Sequence, residues 1–230
     1  MSNRTKEQRS RRENRRQAKK QGKINQVILI IGGLIAFVAL MAIVSSSGSG
    51  PEVASERLNL DPVLGNPDAP VTIIEYAAYS CTACRSWYNG NIIQQILNDY
   101  PDQVNFVHRD FPVITPAYDR RAAEMAQCAL DQGQDQFWDY HAALFRRFNS
   151  GDSIDDLLLL GEEVGLDSAA LSTCVNDNTH RATVQYNEQR GHDLGLRGTP
   201  AFLVNGELLY GPTPDSLRTA VERALTSVSS

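Results

Sequence analysis

The sequence has no Gly-rich phosphate loop, no nucleophilic-serine motif and no dinucleotide fingerprint. Nucleotide hydrolysis, serine-based acyl transfer and nicotinamide or flavin chemistry therefore lose their usual sequence support. No internal repeat is visible. Cysteine is scarce, four in 230 residues, and only Cys81 and Cys84 lie close together. A structural zinc centre takes four ligands, and there is no second close Cys pair to complete one. The four histidines, His108, His141, His180 and His192, are scattered with none at ligand spacing to another, so packing or surface roles are expected for each. Lys is absent beyond Lys23, for which the sequence offers no physical reason, and no charged residue occurs from Ile24 to Gly50.

The last absence divides the chain. The first 23 residues hold ten Lys and Arg against Glu7 and Glu13, a net of +8, while the remainder carries −13. A basic arm suggests nucleic acid first, but the uncharged stretch after it argues against that partner. Roughly 20 predominantly apolar residues cross a bilayer as a helix, and residues 24–44, apolar from Val27 on apart from glycine, number 21. Basic residues stay on the cytoplasmic side, which puts the N-terminus inside and the rest outside. A cleaved signal peptide is the alternative, but its apolar region runs to about 7–15 residues before a small-residue site. This run is longer, and no clear Ala-x-Ala precedes Ser45, so an uncleaved anchor is expected. Residues 45–60 begin with Ser45–Pro51 (SSSGSGP) and read as a flexible linker. Residues 61–230 suffice for one domain with a substantial core. They hold all four cysteines on the side of the membrane where disulfides form and persist.

Within that domain, residues 62–70, rich in Pro and Gly, read as a loop into a strand over 71–76. After Cys84 the apolar positions Trp87, Ile92, Ile93, Ile96, Leu97 and Tyr100 recur at helical spacing until Pro101. Residues 104–111 form a second strand. From about 115 to 195 the pattern is helical, with capping residues at Asp152-Ser153 and at Asp167 or Ser168. A hairpin over 201–210 turns at Asn205-Gly206, and Pro214 opens a last helix. Strand, helix, strand, a block of helices, hairpin, helix describes an α/β domain with a mixed sheet and a helical insertion. Trp87 and Trp138 read as core aromatics.

Cys81-Thr82-Ala83-Cys84 follows the first strand and opens the next helix. There, unpaired backbone N–H groups and the helix dipole favour a thiolate. A thiolate attacks disulfides, and a thiol two residues on can resolve the mixed disulfide. Two-residue spacing also serves metals, so zinc or copper held by the pair is the alternative to a redox site.

Gly198-Thr199-Pro200-Ala201-Phe202, just before the hairpin, completes a pattern that resembles the thioredoxin superfamily, and specifically the DsbA-like thiol–disulfide oxidoreductases. Arg109-Asp110-Phe111-Pro112, Ala122-Ala123, Phe137-Trp138 and Leu144-Phe145 look like that family's passage into its inserted helices. The resemblance covers roughly residues 60–225. It implies a thioredoxin-like fold, a cis Pro200 facing the CxxC helix, and Thr199 bordering Cys81, its backbone pairing with a substrate strand. It also implies a buried acid at Glu75 that moves a proton to or from Cys84; a solvent-facing strand-end Glu75 is the alternative. The substrates implied are exported proteins with free thiols, the reoxidant a quinone-linked membrane partner, and no cofactor is called for. One departure stands out: Thr82-Ala83 supplies no His between the cysteines, and this leaves the oxidase, reductase and isomerase directions open. The copper-binding thioredoxin relatives have three residues between their cysteines, against two here. Cys128 and Cys174 are expected to pair as a structural disulfide in an oxidising compartment, the alternative being two separate buried thiols.

Overall fold

A computed structural model describes residues 61–209 and 211–228. The basic arm, the expected membrane span and the linker, residues 1–60, lie outside the described residues. Among those described, no helix is long and apolar enough to cross a membrane.

Two buried, Val/Ile-rich strands form the centre, β2 (Val71–Ala77) and β3 (Val104–Asp110), and they pair in parallel. Parallel partners need a crossover. It is made by α1 (Thr82–Asn89) and α2 (Ile92–Asp99). The single helix expected through this stretch is two, because Gly90 closes α1 and Asn91 takes φ 50°. Asn tolerates that left-handed conformation at little cost, and the apolar spacing carries on across the break because Trp87 of α1 and Ile92, Ile93, Ile96 and Leu97 of α2 pack into one layer.

Residues 62–70, expected as a loop, contain a short strand, β1 (Val63–Gly65), antiparallel to β3. Pairing to the open edge of β3 outweighs the local Pro and Gly signals. The hairpin β4 (Ala201–Val204) and β5 (Glu207–Leu209) turns at Asn205 and Gly206, both at positive φ, and gives the order β1-β3-β2-β4-β5. One sheet face carries Val71, Ile73, Phe106, Phe202 and Val204 against Ile96 and Leu97 of α2. Leu217, Ala220 and Val221 of α8 (Pro214–Val228) complete that layer. Ile74, Tyr76, Val107 and Leu203 cover the other face with Phe111 and Leu196.

The insertion comprises α3 (Pro116–Leu130), α4 (Gln134–Arg147), α5 (Ile154–Glu163), α6 (Ser168–Asn176) and α7 (Arg181–Asp193). Ser153 caps α5 in a reciprocal capping box with Asp156, and the Asp167 carboxylate caps α6. Gly191 lets α7 close on the end of β3, since a Cβ there would lie 2.6 Å from the Phe111 ring. Ala122, Met125, Ala126, Phe137, Tyr140, Leu144, Leu157 and Leu171 form a second core that is continuous with Cys81 and Cys84. The dithiol thus sits where the inserted helices meet the sheet.

Candidate active site

Cys81 is the N-cap of α1, in extended backbone, and its sulfur accepts the Cys84 N–H at 3.1 Å. A cysteine here does what Ser or Asp does at other helix starts: it meets an otherwise unpaired N–H. Both thiols are free and buried. The Cys81 thiol is brought from its usual 9 down to about 6. Hydrogen bonding from the Cys84 thiol contributes most, burial opposes it, and the Thr199 side chain and the N–H groups of Cys84 and Ala83 add to the lowering. Cys84 goes the other way, pushed far above the ordinary thiol range by burial, by its hydrogen bond to Cys81 and by the nearby Glu75. One sulfur is therefore a ready thiolate and the other a reluctant one.

The Thr199–Pro200 peptide is cis and lies against Cys81, whose S–H reaches the Thr199 carbonyl at 3.3 Å. The Thr199 hydroxyl is buried and has no hydrogen-bond partner other than the Cys81 thiolate that it favours. It stands beside the sulfur as an available donor for the thiolate.

Glu75 is buried in mid-sheet, 6% exposed, flanked in register by His108 on β3 and Phe202 on β4. Burial raises its carboxyl to about 7; His108 pulls it down and Cys81 pushes it further up. A carboxyl poised near neutrality beside a thiol that resists ionising is suited to exchange a proton with it. Glu75, Cys84 and His141 share the floor of a cavity of about 280 Å³, walled by Trp87, Tyr88, Ile92, Phe106, Trp138 and Phe145.

Several residues of this site lay beyond the sequence reading. His108 and His141, 33 residues apart and expected in unrelated roles, bring their rings to 4.7 Å. His141 Nδ1 hydrogen-bonds the Tyr79 hydroxyl at 3.1 Å, and burial, then the charge of His108, holds His141 well below the usual imidazole range. Asp119 ties the segment before Cys81 to α3. Its carboxylate accepts Ser80 N–H at 2.8 Å, Ser80 O–H at 2.9 Å and Thr115 N–H at 2.7 Å. An acid in the first turn of a helix is so common that nothing marked it out. Trp87 and Trp138, expected in the core, are half-buried; Trp87 rests on Phe202 at 4.6 Å between ring centroids.

Cys128 and Cys174 form a disulfide with Cα atoms 5.9 Å apart. Its surroundings are partly polar: Cys174 is half-buried, its sulfur 3.7 Å from an Asp131 oxygen that also meets His180 Nε2 at 2.7 Å. Cys128, Cys174 and His180 are the group of metal-ligating side chains that converges among the described residues. Two of the three are bonded to each other, and thiolates, not disulfide sulfurs, are the metal ligands. Cys81 and Cys84 stand outside any such group.

Comparison with known proteins agrees with this geometry. A family model described as Thioredoxin matches residues 58–223. The chain is 28% identical over 170 residues to a probable disulfide bond formation protein D of Bacillus anthracis, covering 70% of this chain and 77% of that one. It is 31% identical over 169 residues to a Na(+)/H(+) antiporter NhaA 3 of Salinispora tropica, across 73% of this chain but only 25% of the antiporter. The oxidised crystal structure of BdbD from Bacillus subtilis superposes with a TM-score of 0.65 at 24% identity, over 74% of this chain and 95% of that one.

Proposed function

The chain belongs to the thioredoxin family and is a DsbA-like protein thiol–disulfide oxidoreductase; from that premise we propose that it introduces disulfides into exported proteins from the outer face of the membrane. Residues 24–44 serve as its single uncleaved anchor, with residues 1–23 in the cytoplasm, and a quinone-linked membrane protein reoxidises it. The observation that carries the oxidising direction is the asymmetry of the pair, Cys81 near 6 and Cys84 far above the ordinary range. Stabilising the Cys81 thiolate stabilises the reduced enzyme, and that makes the disulfide a stronger oxidant. The Cys84 and Ala83 N–H groups, the Cys84 thiol and Thr199 do here what an intervening His does elsewhere.

A substrate thiolate attacks Cys81 Sγ of the Cys81–Cys84 disulfide. A substrate–Cys81 disulfide forms and the electron pair of the broken bond goes to Cys84, which takes the proton of the Glu75 carboxyl. A second substrate thiolate then attacks the substrate sulfur of the mixed disulfide. Cys81 leaves as a thiolate and needs no proton near neutral pH. Two substrate thiols have become one disulfide, and the enzyme holds the two electrons. Glu75 recovers its proton from water in the cavity it lines.

Equilibrating the full chain with defined ratios of reduced and oxidised glutathione tests the direction. The Cys81–Cys84 couple should lie well above the roughly −270 mV of thioredoxin; a value at or below that would make the protein a reductase. Stoichiometric copper in the purified reduced protein would replace the redox reading with a metal-carrying one.

A further inference from the structure

We propose that His108 is a positioning residue for the proton exchange at Cys84: it stands beside Glu75 and favours its carboxylate, and Asp110 with Gln127 orients the His108 ring. This rests on the reading of Glu75 as the proton partner of Cys84.

His108 is fully buried and stands in register beside Glu75 on the neighbouring parallel strand, so the two side chains leave the same face together. Its ring is fixed at one end, where Nε2 lies 3.3 Å from Asp110 Oδ1. The other Asp110 oxygen accepts Gln127 Nε2 at 2.8 Å. Asp110 is 1% exposed and Gln127 2% exposed, so this support is shielded from water. At the opposite edge, His108 Nδ1 is buried and has no partner. The ring is boxed by Tyr79 at 5.6 Å, His141 at 4.7 Å and Phe137 at 6.0 Å between centroids.

An aromatic ring without nitrogens would satisfy that box, whereas an orphaned buried nitrogen destabilises the fold. What the imidazole adds is a second protonation site. Protonated at both nitrogens, with Asp110 accepting at Nε2, it is a cation beside Glu75 and favours the carboxylate. The neutral ring withdraws that support. The other titratable groups facing Glu75 are Cys81 and Cys84 of α1, Tyr79 before it, Asp110 of β3 and His141 of α4; β4 contributes only Phe202. Tyr79 and His141 Nδ1 hydrogen-bond each other, whereas His108 Nδ1 has no partner. When Glu75 gives its proton to the Cys84 thiolate, only an O–H bond breaks and an S–H bond forms. His108 decides how readily the carboxylate is left behind.

The test uses the full chain carrying a glutathione mixed disulfide on Cys81, with the rate of Cys84 attack followed against pH. Wild type should show an inflection that disappears in Glu75→Gln. In His108→Gln, which keeps a donor for Asp110 but cannot become a cation, the inflection should move up by about one pH unit, slowing attack about tenfold below it. Should His108→Gln fail to fold, His108→Phe replaces it; it fills the aromatic box, cannot become a cation, and should shift the inflection the same way. An inflection that survives Glu75→Gln overturns the reading of Glu75 and this inference with it. One that Glu75→Gln removes but neither His108→Gln nor His108→Phe moves overturns the role of His108 alone.

Discussion

The Cys81 sulfur lies 3.3 Å from the carbonyl oxygen of Thr199, a residue 118 positions further along the chain. Cys81 caps a helix that follows β2, and Thr199 ends the segment that leads into β4, antiparallel to β2. The sheet therefore fixes the distance between Cys81 and the cis-proline loop. The Thr199 hydroxyl is buried beside the same sulfur.

Thr199→Val keeps the shape and removes that donor. A hydrogen bond to a charged group is worth about 1.5–3 kcal/mol. The Cys81 titration, followed by thiolate absorbance near 240 nm, should accordingly rise from about 6 by one unit or somewhat more. The couple should become less oxidising in step. An unchanged titration would mean that the hydroxyl does not reach the thiolate.

Glu75→Gln should stabilise the protein at alkaline pH and leave it nearly unchanged in acid. The folded carboxyl titrates near 7 against 4.5 for an ordinary one, so folding favours its protonated form. The resulting stability is fully present below about 4.5 and is lost as pH rises through about 7. Gln does not ionise and escapes that loss, by about 3 kcal/mol once pH exceeds 7. Urea unfolding at several pH values measures the difference. Equal stability of both proteins above pH 8 would show that Glu75 is not strained by ionising.

Cys84→Ser should accumulate substrates bound to Cys81, because the resolving sulfur is gone and Cys81 keeps most of its environment. Diagonal electrophoresis of the exported protein fraction would reveal the adducts. Cys81→Ser should trap none, and adducts in that variant would assign the attacked sulfur to Cys84 instead.

Replacing both Cys128 and Cys174 with Ala should reduce stability by about 4 kcal/mol, the chain-entropy value for a 46-residue loop. The Cys81–Cys84 potential should be nearly unaffected, since no hydrogen bond joins the two pairs. Chemical denaturation gives the first quantity and glutathione equilibration the second. A large change in potential without loss of stability would make the second disulfide part of the redox machinery.

Much of the fold could be read along the chain, because its signals are local: alternating or continuous apolar runs for β2 and β3, Asn205-Gly206 for the hairpin, caps at Ser153 and Asp167. Where neighbours in space outweighed local preference, the reading fell short. β1 exists because β3 offers an open edge, and the break at Gly90-Asn91 is hidden by apolar spacing that both helices share. The chemistry divides in the same way. A dithiol at the start of a helix is a local motif, and so the sequence alone determined that Cys81 and Cys84 are a candidate reactive pair. That His108, His141 and Glu75 stand together beneath it, and that Asp119 holds the turn before it, depends on pairing between separate strands and docking of inserted helices. Sequence spacing carries no record of such distances. Only the tertiary structure decided which buried groups share one low-dielectric site, and with it how the two thiols differ.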